Sequence, residues 1–231
     1  MKIYYISPHF DDAIGSCGGK INNDRVNGND VYVVTIFSRV TAPFSDYAKS
    51  LHDYWNLVDP FNDRKKENLD ACESIGAKVL NLEYEDAIYR KKDNIYLYPK
   101  DGDIFKEISP SDIALIDEMY VYFKENFNIK DKYYFPMAIG NHVDHCIVNI
   151  IGKRLKKAGY NVIFYSDFSY EGKKIIKNVN KQVFELSEDD INAKINAITK
   201  YKSQIFMLFE SIDKIEDYYK VKLKGKEIFY E

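Results

Sequence analysis

The stretch Lys2-Ile3-Tyr4-Tyr5-Ile6-Ser7-Pro8-His9-Phe10-Asp11-Asp12 decides how the rest of this chain is read. Ile3 to Ile6 is a short apolar run, the pattern of a strand buried on both faces of a parallel sheet. Ser7-Pro8 stops it, and the polar cluster His9, Asp11 and Asp12 follows. The next segment, Ala13 to Asn23 with Gly18-Gly19 inside, reads as a helix. His9 and Asp12 are three residues apart, so a turn or first helical turn faces them the same way while Asp11 points elsewhere. Imidazole nitrogen and carboxylate oxygen are donors that a borderline cation such as Zn²⁺ accepts.

A second cluster, Gly140-Asn141-His142-Val143-Asp144-His145, follows a predicted strand at Asp131 to Pro136 and precedes a helix predicted over His145 to Ala158. The two clusters hold three of the four histidines. In open α/β sheets, ligands gather beyond the carboxyl ends of the strands, and neighbouring parallel strands bring such loops together. Together the clusters supply two His and one Asp as ligands, with an Asp and a His left for proton transfer. That is the inventory of a metal hydrolase. Each cluster alone has a plainer reading. A His beside an Asp at a helix start is usually a satisfied polar pair, and an N-cap alone would explain either Asp11 or Asp12. Two such clusters, each at the carboxyl end of a strand, favour the joint reading.

Working outward, Asp30 to Phe37 and Lys78 to Leu82 read as strands, as do Val162 to Tyr165, Phe184 to Leu186 and Glu227 to Tyr230. Helices are expected at Tyr47 to Trp55, at Arg64 to Ile75 with Gly76 closing it, and from Ser109-Pro110-Ser111-Asp112 to Phe127. Asp189 to Phe209 reads as one long helix. Residues 84–108 are polar, Tyr-rich and irregular, and a loop of that length inside a compact domain is usually functional. Alternating strands and helices predict an α/β fold, a mostly parallel sheet with helices on both faces, as a single domain over residues 1–231.

At 231 residues and 45% hydrophobic, the chain can bury one large core without a second domain. A formal charge of −3 gives no electrostatic footprint for nucleic acid or an anionic membrane. The run Lys153 to Lys157 therefore reads as a solvated helix face. The cysteines Cys17, Cys72 and Cys146 are widely spaced with no CxxC, which argues against a disulfide framework and fits a reducing compartment. The N-terminal apolar run is too short for a signal peptide, and no stretch reaches transmembrane length, so a cytoplasmic location is expected. The 20 tyrosines suit a core and a sugar-binding surface, and exposed ones permit homo-oligomers without locating an interface. A nucleotide-binding module is disfavoured because no GxGxxG follows the first strand.

The chain resembles the LmbE-like, or PIG-L, family of N-acetylglucosaminide deacetylases. His9-Phe10-Asp11-Asp12 with Gly18-Gly19 looks like its HxDD signature, and His142-Val143-Asp144-His145 looks like its later HxDH signature. Arg64-Lys65-Lys66-Glu67 with Ala71 and Gly76 is similar to its R-x-x-E helix. Asp86-Ala87-Ile88-Tyr89-Arg90, Tyr165-Ser166-Asp167 and Lys200-Tyr201-x-Ser203-Gln204 resemble segments of a bacterial subgroup that begins S-P-H-x-D-D-A. Phe10 and Ala13 replace the Pro and Glu of the commoner form, as that subgroup allows, and Ser169 replaces the usual Pro before Tyr170.

The resemblance implies a Rossmann-like fold holding one Zn²⁺, with Fe²⁺ an alternative occupant. His9, Asp12 and His145 would be the metal ligands. Asp11 would be the general base, His142 would stabilise the oxyanion or protonate the leaving amine, and Asp144 would orient His142. Arg64 would bind substrate, and Tyr89 and Arg90 would line the pocket mouth, although Arg90 beside Lys91 and Lys92 also reads as a solvated charge. His52, in an L-H-x-x-W stretch, reads as a surface or loop histidine or as a substrate-loop contact. The implied reaction is removal of an N-acetyl group from an amino sugar or small glycoside. A metal amidase on a non-sugar acylamide and a catalytically silent sugar-binding relative are the alternatives.

Overall fold

The computed structural model describes residues 1–168 and 179–231. The chain runs β1 (Lys2–Ser7), α1 (Asp12–Val26), β2 (Asp30–Thr35), α2 (Asp46–Tyr54), α3 (Pro60–Ser74) and β3 (Lys78–Asn81). A two-residue-stranded hairpin follows, β4 (Lys91–Lys92) and β5 (Ile95–Tyr96), then α4 (Ile113–Asn126), β6 (Lys132–Pro136), α5 (Val143–Lys157) and β7 (Asn161–Tyr165). The C-terminal part holds β8 (Lys181–Glu185), α6 (Glu188–Ile198), α7 (Lys202–Phe209), α8 (Asp213–Glu216) and β9 (Lys226–Tyr230).

Seven strands form one sheet in the order β3-β2-β1-β6-β7-β9-β8. From β3 to β7 all neighbours are parallel, and β9 runs antiparallel to both β7 and β8. The chain leaves β1 toward β2 and β3, then returns to the other side for β6 and β7. The strand order therefore reverses between β1 and β6, where an open α/β sheet leaves a crevice at its carboxyl edge. Both histidine clusters follow these two strands.

Period-two alternation sends successive residues of β1 into separate cores. Tyr5 joins the layer with α1, α3 and α6, and Tyr4 joins the layer with α4 and α5. The tyrosines stack across strands, Tyr4 on Tyr133 at 5.2 Å and Tyr5 on Tyr134 at 4.5 Å between ring centroids. Such cross-strand aromatic pairs help fix register.

Gly18-Gly19 serves packing. A Cβ on Gly18 would lie 2.8 Å from Lys194 Cγ, and one on Gly19 2.5 Å from Leu186 Cδ2. The close approach lets a buried ion pair enter the side of α1. Lys194 Nζ lies 2.7 Å from Glu227 Oε1 and donates to Ser16 O, while Glu227 accepts the Gly19 and Lys20 amides, each at 2.9 Å.

The long helix expected over Asp189 to Phe209 is two helices. Between them Tyr201 turns inward, and its hydroxyl lies 2.9 Å from both Phe10 O and Asn68 Oδ1. These buried polar contacts hold the break that an apolar periodicity does not reveal. Within the expected loop 84–108, Asp93 and Asn94 take φ of +51° and +62° and close the β4–β5 hairpin. Gly76 has φ +69°, as a residue just past a helix end should. Ser169 and Tyr170 lie outside the described residues. Among the described residues, no helix is long and apolar enough to cross a membrane.

Candidate active site

The first cluster is shaped by how α1 begins. Ser7 Oγ accepts the Ala13 amide at 2.9 Å and so satisfies the helix end from outside. Asp11 occupies the N-cap position but makes no side-chain cap bond. Its Oδ1 instead faces Arg64 of α3 at 3.1 Å. Asp12 turns back and accepts the His9 amide at 2.8 Å. The N-cap explanation thus fails for both aspartates, because a serine already does that task.

In the second cluster the helix starts earlier than the sequence pattern suggests. His142 is the N-cap of α5, and its Nδ1 accepts the Asp144 amide at 3.2 Å. An amide always donates, so Nδ1 is the acceptor and the proton of the neutral ring sits on Nε2. His145 then falls in the first turn and faces the β1 loop.

Three side chains converge at the β1–β6 crevice. His9 Nδ1 and His145 Nε2 each lie 3.2 Å from Asp12 Oδ2. One donor atom from each of these residues lies within 4.8 Å of the others. The far nitrogens are both held by carboxylates with no exposed surface. His9 Nε2 is 3.0 Å from Asp144 Oδ2, and His145 Nδ1 is 2.6 Å from Asp167 Oδ1. An imidazole gripped by a carboxylate on one nitrogen, with the other turned inward, is the usual arrangement behind a metal-ligating histidine. Two imidazoles and one carboxylate also form a three-ligand set that leaves a cation open to water or substrate. The donor set therefore fits a divalent cation. His9, His142 and Asp144 are equally close together. Asp144, however, is outside the cavity lining, and its oxygens already face His9, the Ala87 amide and Arg90.

Charge in this cluster is balanced among its members. Burial opposes the charged form of His9, but the carboxylates of Asp86, Asp12 and Asp144 outweigh it and lift the ring well above its ordinary range. His145 is likewise penalised by burial and lifted by Asp12 and Asp167, to about 10. Burial pushes Asp12 up, yet His145 and His9 hold it well below the carboxylate range. Burial raises Asp11, against the opposing pull of Arg64. Burial, reinforced by the positive His9 and His145, drives His142 well below the usual imidazole range.

The floor of a cavity of about 280 Å³ includes His9, Asp11, Asp12, His142 and His145. Its walls include Trp55, Arg64, Ile104, Phe105, Met207 and Leu208. The Arg64 guanidinium lies over Trp55, 5.0 Å from the ring centroid.

Four expectations need correction. The Asp144 carboxylate faces His9, Arg90 and the Ala87 amide, so it orients His9; its link to His142 is through the backbone. Arg90 is neither at the pocket mouth nor solvated. It is 5% exposed, with NH1 2.6 Å from Asp144 Oδ1 and NH2 3.1 Å from Asp112 Oδ2. Tyr89 is buried beside the cavity, its hydroxyl 2.6 Å from His52 Nε2. His52 is accordingly buried, packed edge-on against Phe44, and is no surface histidine. Sequence reasoning quoted Asp167, Asp86, Asp112 and Trp55 within their segments but gave none of them a role in the site. The Tyr-x-Asp strand end at Tyr165 to Asp167 was the available signal for the first, since an Asp leaving a buried strand at the crevice edge needs a partner there.

The sequence model described as PIG-L: GlcNAc-PI de-N-acetylase matches residues 4–156, which include both clusters. A curated protein of Niallia circulans, 2'-N-acetylparomamine deacetylase, is 27% identical over 224 residues, covering 89% of this chain and 81% of that one. The zinc-inhibited form of teicoplanin deacetylase Orf2 superposes with a TM-score of 0.84 at 23% identity, covering 100% of this chain and 97% of the other. The A40926 pseudoaglycone deacetylase Dbv21 superposes with a TM-score of 0.75 at 21% identity, covering 99% and 95%. A sheet with its crevice between β1 and β6, two signatures meeting there and a family match across two thirds of the chain agree: this protein belongs to the PIG-L family and is an N-deacetylase.

Proposed function

We propose that this chain, as one domain over residues 1–231, is a zinc-dependent enzyme that removes the acetyl group from an N-acetylated amino sugar carried on a small glycoside. One observation carries the reading. A carboxylate outside the donor set, Asp11, held by Arg64, lines the same cavity as His9, Asp12 and His145. The curated relative, named for an N-acetylated amino sugar, supports the substrate class. The buried free thiols of Cys17 and Cys72 suit the reducing cytoplasm as its location.

His9, Asp12 and His145 would hold the cation, which when bound acidifies water and polarises a carbonyl. Fe²⁺ suits the same donors. Asp11 accepts the proton of the attacking water. Its burial raises its basicity, which brings it closer to the range where a general base works well, and Arg64 keeps it oriented. His142 faces the developing oxyanion as a neutral donor through Nε2–H, because Nδ1 is engaged by the Asp144 amide. A neutral ring of low basicity is suited to donate a hydrogen bond rather than to shuttle a proton. The proton held by Asp11 therefore goes to the departing nitrogen, and acetate and a free amine leave. Trp55 and Phe105 offer flat apolar faces to the sugar, and Arg64 offers donors to its hydroxyls.

The test is elemental analysis of the purified protein, followed by turnover of 2'-N-acetylparomamine and other N-acetyl amino sugars beside simple N-acetylated amino acids. About one zinc or iron per chain and acetate release from the sugars alone is the expected result. Release only from the simple acylamides would make it an amidase. Bound sugar without acetate release from a metal-loaded protein would make it a silent relative.

A further inference from the structure

Arg90 is the most deeply buried guanidinium among the described residues, and the reaction above does not use it. It comes from the connection between β3 and β4, far in sequence from either signature. Its NH1 lies 2.6 Å from Asp144 Oδ1 and also donates to Glu85 O at 3.0 Å. Its NH2 lies 3.1 Å from Asp112 Oδ2, and its Cζ lies 5.1 Å from the ring centroid of Phe37 and 5.4 Å from that of Tyr98. Asp112 is fixed in turn by the Tyr98 hydroxyl at 2.7 Å. The guanidinium therefore has little freedom to turn, and the Asp144 oxygen it grips is the one that does not touch His9. The other oxygen, Oδ2, accepts the Ala87 amide and meets His9 Nε2, both at 3.0 Å.

On the functional reading above, we propose that Arg90 is a positioning residue for the metal centre. It fixes the rotation of the Asp144 carboxylate, and the carboxylate fixes the ring of His9 so that Nδ1 faces Asp12 and the cation. A lysine cannot reproduce this, because a single ammonium lacks the planar fork that spans Asp144 and Asp112 together. Neither can bulk solvent, since Asp144 has no exposed surface. Outer groups that hold a metal-ligating histidine typically contribute about 10–100-fold to metal affinity.

The experiment measures Zn²⁺ affinity by chelator competition and the visible spectrum of the Co²⁺-substituted protein, for full-length wild type and three variants. Arg90→Met should bind Zn²⁺ about 10–100-fold more weakly and show a shifted Co²⁺ spectrum, which loss of stability alone would not produce. Removing one buried charge strands two carboxylates, so Arg90→Met can fail to fold. Arg90→Gln/Asp112→Asn loses one charge of each sign, keeps the packing, and should show the same weakening and spectral shift. Asp112→Asn alone leaves Arg90 on Asp144 and should keep wild-type affinity and spectrum. Folded Arg90 variants with the wild-type affinity and spectrum overturn the positioning role and leave the functional reading intact. An equal loss in Asp112→Asn alone also overturns it, by assigning the effect to the buried pair rather than to the grip on Asp144. A wild type that takes up neither Zn²⁺ nor Co²⁺ overturns both readings.

Discussion

The candidate metal centre has two arms that look alike near Asp12 and differ one step out. Each arm is an imidazole backed by a buried carboxylate, His9 by Asp144 and His145 by Asp167. Asp167 leaves the end of β7 and takes the Ile139 amide at 3.0 Å on Oδ2. Asp144 sits in the first turn of α5 and is held by a guanidinium and an amide from the connection after β3. One arm is thus anchored by neutral backbone at the sheet edge, and the other by an ion pair from a long connection. A backbone anchor comes with the fold, whereas an ion-pair anchor must be built by residues distant in sequence. Its loss is also harsher, because it strands a buried charge.

The largest break strikes the residue both arms share. Asp12→Ala should abolish stoichiometric zinc or iron uptake, read by elemental analysis, and activity with it. Retained metal would show that the arms meet somewhere else. Next, Asp11→Asn belongs to neither arm and should keep the metal while turnover falls about 10²–10⁴-fold, the range for losing a general base. Equal metal loss in both aspartate variants would dissolve that division of roles.

Asp167→Asn sharpens the comparison between arms. It should lower Zn²⁺ affinity by about 10–100-fold. Because it also takes the carboxylate away from the buried His145 ring, it should cost the metal-free fold some stability, though less than Arg90→Met, which strands two buried carboxylates. A drop in melting temperature as large as that of Arg90→Met would erase the contrast. The smallest effect per step is that of pH on the metal-free protein. Both rings have folded-state values above the ordinary 6.5, His145 at about 10. Their protonation therefore stabilises the metal-free fold fully below pH 6.5 and loses that contribution as pH rises toward 10. A cation must displace those protons, so affinity should rise about tenfold per pH unit for each proton released over this window. A flat affinity profile would mean that the rings are neutral before the cation arrives.

The same contrast explains what was legible in the sequence. Strands β1, β2, β6 and β7 were visible because burial on both faces leaves continuous apolar runs, and both signatures stood at strand ends where the topology gathers ligands. Arg90 was not visible, because an arginine followed by Lys91 and Lys92 has the local pattern of a solvated surface. Only its distant partners Asp112 and Asp144 pull it inside. The break at Tyr201 was hidden for a related reason: its hydroxyl contacts belong to Phe10 and Asn68, and the residues around it keep helical spacing. His52 looked like a loop histidine because its partner Tyr89 lies on another connection. Local pattern reports burial and turns well, and is silent about which buried polar group answers which.

The short β4–β5 hairpin has a bearing on how this protein can change length over time. Its Asp93-Asn94 turn reverses the chain three residues after Arg90, and the Leu97 amide returns to the Arg90 carbonyl at 3.0 Å. The segment from Ala87 to Tyr98 is thereby a measured span, with Ala87 and Arg90 on Asp144 at one end and Tyr98 on Asp112 at the other. Insertions and deletions, which loops ordinarily absorb, would move these anchors if they fell in the stretch from Ala87 to Arg90 or from Leu97 to Tyr98. They can accumulate instead around Gly102, which has φ +81° and open space around it on the same connection. Divergence in substrate choice then has a place to occur, at the cavity rim near Phe105, that leaves the anchoring of His9 untouched.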